Sequence, residues 1–158
     1  THDLTTRLIP HFRQHGGRVV NISSVLGLVG IPWRGAYVAT KFALEGLTDV
    51  LRVEMSDTPV KFVLIEPGPI GTKIRQNSIP HFERWIDWQS SARVDQYRNT
   101  LIKRLYDAAG RKDRFQLPPS AVSARIEVSI VWPKSGLSMA AAMFSEPRLQ
   151  EMSLPMRS

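Results

Sequence analysis

Two short apolar runs on either side of one long helical stretch limit what this chain can fold into more than any other feature. The first, Arg18 to Ser23, carries the β-branched Val19, Val20 and Ile22 without strict alternation, the pattern of a buried strand. The second, Lys61 to Glu66, has the same character. Between them, Gly35 to about Asp57 places Ala36, Ala39, Ala43, Leu47, Val50, Leu51 and Glu54 on one mostly small-residue helical face. Such a face suits close approach to a strand or to a second subunit. Thr58-Pro59 ends the helix. Strand, helix and strand make a βαβ unit, with parallel strands and a right-handed crossover. Parallel sheets have both faces covered and usually four or more strands, yet only these two are evident in 158 residues. The expected fold class is α/β, the C-terminal half of a doubly wound parallel sheet.

The long helix also carries the chain's most suggestive side chains. Tyr37 and Lys41 stand at i and i+4, so they share one helix face with Cβ atoms about 5–6 Å apart. An ammonium that close favours the ionised phenol and lowers its pKa from the ordinary value of about 10. A phenol tuned that way passes a proton to or from a substrate oxygen near neutral pH. The spacing alone is common and usually marks a solvated helix face. Its surroundings narrow the reading. Ser24 stands thirteen residues before Tyr37, just past the first strand. Ser23, one residue nearer the strand, should face the opposite way. The second strand runs straight into Pro67-Gly68-Pro69-Ile70-Gly71-Thr72, where glycine lets backbone come close to a ligand.

Strand, serine, loop, Tyr-x-x-x-Lys helix, strand and Pro-Gly loop, in this order and spacing, resemble the short-chain dehydrogenases/reductases. The stretches GRVVNISSVLGLVGIP, AYVATKFALEGLTDVLRVEM and VLIEPGPI look most like the branch acting on steroid-, retinoid- and other lipid-like alcohols and ketones. The likeness is close over residues 1–80 and loose over 81–123. It implies a Rossmann-type sheet and an oxidoreductase that uses NAD or NADP to interconvert an alcohol and a ketone or aldehyde on an apolar substrate. It further implies that Tyr37 is the general acid/base and that Ser24 hydrogen-bonds the substrate oxygen. Lys41 would hold the phenol pKa down and, beside Tyr37, reach the nicotinamide ribose. Pro67, Gly68, Ile70 and Thr72 would approach the nicotinamide and its adjoining phosphate. Subunits of the family pair through two long helices, here residues 1–15 and 35–57, so a homo-oligomer is expected. The family's glycine-rich strand-turn-helix and its Asn-Asn-Ala-Gly segment do not occur in this sequence. The choice between NAD and NADP is made in that half. The rival reading is therefore an incomplete member of the family that binds no dinucleotide and has no activity by itself.

The remaining stretches add less. Residues 1–15 read as an amphipathic helix with Leu4, Leu8, Ile9 and Phe12 as its stripe, stopped by Gly16-Gly17. His11 and His15 have a spacing that can clip a metal, but no third ligand is near, so a solvated face is expected and no metal site. Residues 73–117 hold an aromatic group, Phe82, Trp85, Ile86 and Trp88, then a helical stripe through Val94, Tyr97, Leu101, Leu105 and Tyr106. The resemblance makes this a substrate lobe inserted into a domain spanning 1–132; a helix pair that only covers core is the other reading. Arg111 to Arg114 reads as a solvated turn. Leu117-Pro118-Pro119 opens a helix with Val122, Ile126 and Ile130 on one stripe, although Ile126, Val128, Ile130 and Trp132 also alternate as a strand would. Residues 133–158, rich in Ser, Met, Ala and Pro, are expected to be an irregular or poorly ordered tail.

Composition excludes several classes. The charge of +7 divides into +3 through Arg75 and +4 beyond, a basic surface rather than a patch, and no helix-turn-helix, finger or RNP-like motif accompanies it, so no nucleic acid is expected. The absence of cysteine rules out disulfides and thiolate metal sites. No apolar run approaches the roughly 18 residues of a membrane span, and Thr1-His2-Asp3 starts no signal peptide, so a cytoplasmic protein is expected. Ser23 and Ser24 lack the G-x-S-x-G elbow of a serine hydrolase.

Overall fold

The computed structural model describes residues 1–107 and 115–131. The Arg111–Arg114 turn, Trp132 and the tail at 133–158 lie outside those residues. Helix α1 (His2–His15) leads into strand β1 (Gly17–Ile22), a short 3-10 turn (Val25–Gly27), helix α2 (Gly35–Glu54) and strand β2 (Val60–Ile65). Strands β1 and β2 pair in parallel, in register from Gly17 opposite Val60 to Ile22 opposite Ile65. Among the described residues the sheet has only these two strands. Helix α1 stops at Gly16, whose φ of 72° favours glycine and whose N–H is bonded to the Phe12 carbonyl.

The core lies between α1, α2 and the sheet. Leu51, Val60 and Phe62 are buried at its centre, and Ile9, Phe12, Val19, Leu47 and Met55 pack around them. The face of α2 that meets the sheet differs from the expected one. Leu51 and Thr48 are buried and Leu44 and Leu47 half-buried, while Ala36, Ala39, Ala43, Val50 and Glu54 face outward. Larger apolar side chains fill the gap to the sheet, which leaves the small-residue face on the surface. Strand β1 is likewise less enclosed than its composition suggests. Only Asn21 is buried within it, and Ile22 is exposed, because no strand among the described residues covers the edge away from β2. Helix α1 buries Thr5 and half-buries Ile9 and Phe12, whereas Leu4 and Leu8 remain exposed.

Helix α3 (Ile74–Trp85) follows the Pro-Gly loop, then α4 (Val94–Tyr97), a π-helical turn (Arg98–Ile102) and α5 (Lys103–Asp107). This segment buries little: Trp85 and Ile86 are exposed, and the Trp85 ring lies under the Arg84 guanidinium at 4.7 Å. Helix α6 (Pro119–Val131) forms as the leading prolines suggest and packs on both strands. Its buried side runs through Val122, Ile126 and Ser129, and Ile130 faces outward. The helical period brings residue 129 back over 122 and 126, and Arg18 ties that side to the sheet by donating from Nη1 to the Ser129 carbonyl at 3.0 Å.

Candidate active site

The C-terminal ends of both strands and the first turns of α2 converge on one region. Lys41 lies in the second turn of α2 and donates from Nζ to the Ile22 carbonyl, the last of β1, at 2.8 Å. The same ammonium stands 5.7 Å from the centre of the Tyr37 ring. Tyr37 as a residue is 44% exposed, open to a second molecule. The i, i+4 spacing thus places the two groups side by side, as the helix period requires.

Ser24 is buried at the mouth of the 3-10 turn. Its Oγ accepts from the Leu26 N–H at 3.2 Å and lies 3.5 Å from the Pro67 carbonyl, to which the Val25 N–H also donates at 3.2 Å. Since the Ser23 N–H donates to the Ile65 carbonyl at 2.7 Å, the serine segment continues the sheet pairing beyond β1 and joins the Pro-Gly loop. Pro67, Gly68 and Ile70 are half-buried, while Thr72 is exposed and its Oγ1 accepts from the Ile74 N–H at 3.4 Å. Ile70 forms a parallel bridge with Leu117, and the Gly71 N–H donates to the Leu117 carbonyl at 2.8 Å, so the loop is pinned at its far end by the start of α6. Ser24 and the Pro-Gly loop form one bonded unit, and Tyr37 and Lys41 form another; the Ile22 carbonyl on β1 links them.

Three features escaped the sequence reading. Trp33 adopts φ 67°, a left-handed conformation that costs about 1–2 kcal/mol for a residue with a Cβ, and its ring meets Tyr97 edge-on at 5.5 Å. That contact joins the loop before Tyr37 to the helical segment after it, and neither residue belongs to a motif. A buried polar group also lies behind Ser24, with Asn21 Nδ2 donating to Thr48 Oγ1 at 3.0 Å and Ser23 beside Glu45. Helical periodicity offered a hint here, since Glu45 and Thr48 fall on the turns that follow Lys41 on the same side of α2. Finally, a cleft of about 340 Å³ runs along the open edge of β1, lined by Leu4, Leu8, Val19 and Ile22 among others. The exposed rings of His11 and His15 stack at 4.4 Å.

Residues 1–82 match the family model described as short chain dehydrogenase, just over half of the chain. The chain belongs to that family. The oxidoreductase YbbO of Escherichia coli K12 is 52% identical over 77 residues, which cover 48% of this chain and 29% of YbbO. Among solved structures, a short-chain dehydrogenase from Streptomyces avermitilis superposes with a TM-score of 0.57 at 28% identity, over 87% of this chain and 46% of that one. A 4-hydroxyisoleucine dehydrogenase complexed with NADH gives 0.55 at 24% identity, over 82% and 46%, and shares the fold. The chain therefore spans less than a third of this curated relative and about half of these structures. As a partial α/β fold of this family, the two parallel strands and their helices are the C-terminal part of a doubly wound sheet. Among the described residues no helix is long and apolar enough to cross a membrane.

Proposed function

We propose that the protein is an NAD- or NADP-dependent oxidoreductase that interconverts an alcohol with a ketone or aldehyde on an apolar substrate, through Ser24, Tyr37 and Lys41. The observation that carries this reading is the pairing of an exposed Tyr37 phenol with an ammonium fixed on the Ile22 carbonyl, beside the loop that Ser24 joins to Pro67. The nicotinamide end of a dinucleotide fits these residues. The free face of the Lys41 ammonium would hold ribose hydroxyls, and the half-buried Pro67-Gly68 turn with Ile70 and Thr72 would allow close backbone approach. Such a cofactor would supply or accept hydride. Tyr37 then moves a proton to or from the substrate oxygen, Lys41 stabilises the phenolate that results, and Ser24 holds the same oxygen in place by a hydrogen bond.

Exposed Trp85 and Ile86, with Trp33 against Tyr97, suit an apolar substrate held by a lobe of residues 73–117 through its helices α3 to α5. Exposed Leu4 and Leu8 on α1, and Phe42, Val50 and Val53 on α2, suit a homo-oligomer built on residues 1–15 and 35–57. A cytoplasmic location belongs to the same reading. Replacing Tyr37 by Phe should lower kcat by about 10²–10⁴ with KM little changed, because only the proton transfer is removed. A Tyr37→Phe enzyme that keeps its rate would end the assignment.

A further inference from the structure

The carboxyl of Glu45 takes no part in the chemistry above, yet it reaches the underside of the serine segment. A Cβ built on Gly27 would lie 2.8 Å from Ser23 Oγ and 2.9 Å from both Cγ and Oε1 of Glu45. The Glu45 side chain is therefore in tight contact with the backbone of the 3-10 turn that Ser24 caps. Ser23 is almost wholly buried, and neither its Oγ nor Glu45 Oε1 makes a well-aligned hydrogen bond. Glu66, at the end of β2 and next to Pro67, is fully buried near the same group. Two carboxyls and a hydroxyl thus lie under the two loops that carry Ser24 and Pro67.

We propose that Glu45 is a positioning residue for Ser24: its carboxyl, packed on Gly27 beside the Ser23 hydroxyl, clamps the Ser24–Gly27 turn onto α2 and so fixes where the Ser24 hydroxyl points. The assignment of a role to Ser24 rests on the function proposed above; the clamp itself does not. Three amides report on the turn directly, since Leu26 donates to Ser24 Oγ, Gly27 to the Ser24 carbonyl and Leu28 to the Val25 carbonyl.

The surroundings give the clamp a proton dependence. Loss of water raises the Glu45 pKa most; the Ser23 hydroxyl works against this, the Glu66 and Asp49 carboxylates add to it, and the Arg52 guanidinium opposes it. With the folded value above the ordinary 4.5, the neutral carboxyl is the form the fold favours. Its contribution is complete below about pH 4.5 and is lost as pH rises through the folded value. In that neutral form Glu45 carries an O–H donor, which a carboxylate lacks.

Amide hydrogen exchange on the protein and on two variants decides the matter. Glu45→Ala should lower protection at Leu26, Gly27 and Leu28 by roughly tenfold while Val20 in β1 and Leu64 in β2 keep theirs. Glu45→Gln, which keeps the shape and a donor, should preserve that protection. As pH rises above the ordinary 4.5 the wild-type protection factors at these amides should fall, and those of the Gln variant should stay level. Unchanged protection in Glu45→Ala, a loss shared equally by the strand amides, or a Gln variant as open as the Ala variant would each overturn the clamp. None of these readouts needs turnover. If Ser24→Ala kept full activity, the catalytic reading would fall and the clamp would stand or fall on exchange alone.

Discussion

The Lys41 ammonium serves two neighbours at once. Its bond to the Ile22 carbonyl costs it one of three donors and fixes its position at the end of β1. Two donors and the full charge stay available next to the Tyr37 ring. A surface lysine without the strand carbonyl would lose most of that placement to side-chain entropy. Gly27 plays a comparable part for Ser24, because it lets α2 approach the serine turn with no side chain between them. Gly27→Ala would force Ser23 Oγ and the Glu45 stem apart at contacts of 2.8 and 2.9 Å. The expected loss is about 1–3 kcal/mol, read from the urea midpoint, since both neighbours are confined by the packed helix. An unshifted midpoint would mean that the turn moves away freely.

At the scale of elements, α2 has three occupied sides. Leu47, Thr48 and Leu51 face the sheet, Tyr37 and Lys41 face the strand ends, and Phe42, Val50 and Val53 face outward. A helix that is apolar beyond its buried stripe has a use for that surface or suffers for it. Val53, at 75% exposed, contributes almost nothing to the packing of the monomer. Val53→Asp should therefore leave stability within about 0.5 kcal/mol, yet shift an oligomer towards monomer in light scattering. An unchanged mass for the variant, or a monomeric wild type, counts against self-association through α2. From α1 to β2 element type was legible in hydrophobic period, with boundaries displaced by one to three residues: β1 at Gly17–Ile22, α2 ending at Glu54, β2 at Val60–Ile65. Helix α3 had no such signal, and α6 was read from its leading prolines because its period fitted a strand as well. Burial was less legible. Ala and Leu both read as apolar, and only the distance to the sheet selects the larger side chains for the interface.

For the molecule as a whole, the two-stranded parallel sheet sets the terms. Each strand has one partner among the described residues, and a pair of strands needs further cover to be stable. The cleft along the open edge of β1 lies where a further strand would pair. The dinucleotide question belongs to this scale, because the residues proposed above would address only the nicotinamide end and no G-x-G-x-x-G cradle occurs in the sequence. Titration with NADH and NADPH up to about millimolar concentration, near the upper end of ordinary ligand affinities, tests it. Binding would show that the nicotinamide end alone gives measurable affinity. No binding to this chain, with binding to a longer form, would place the affinity in the glycine-rich half and support the rival reading for this chain.

The order of elements, the pairing of Tyr37 with Lys41 and the place of Ser24 were determined by the sequence, because each depends on local period: two residues along a strand, four along a helix, and a fixed count between them. Which face of α2 is buried, how Trp33 meets Tyr97, and how Glu45 comes under Gly27 were decided only by the tertiary structure. Those contacts join residues eighteen to sixty-four positions apart. Non-local distances are set by packing, and no spacing within a single element encodes them.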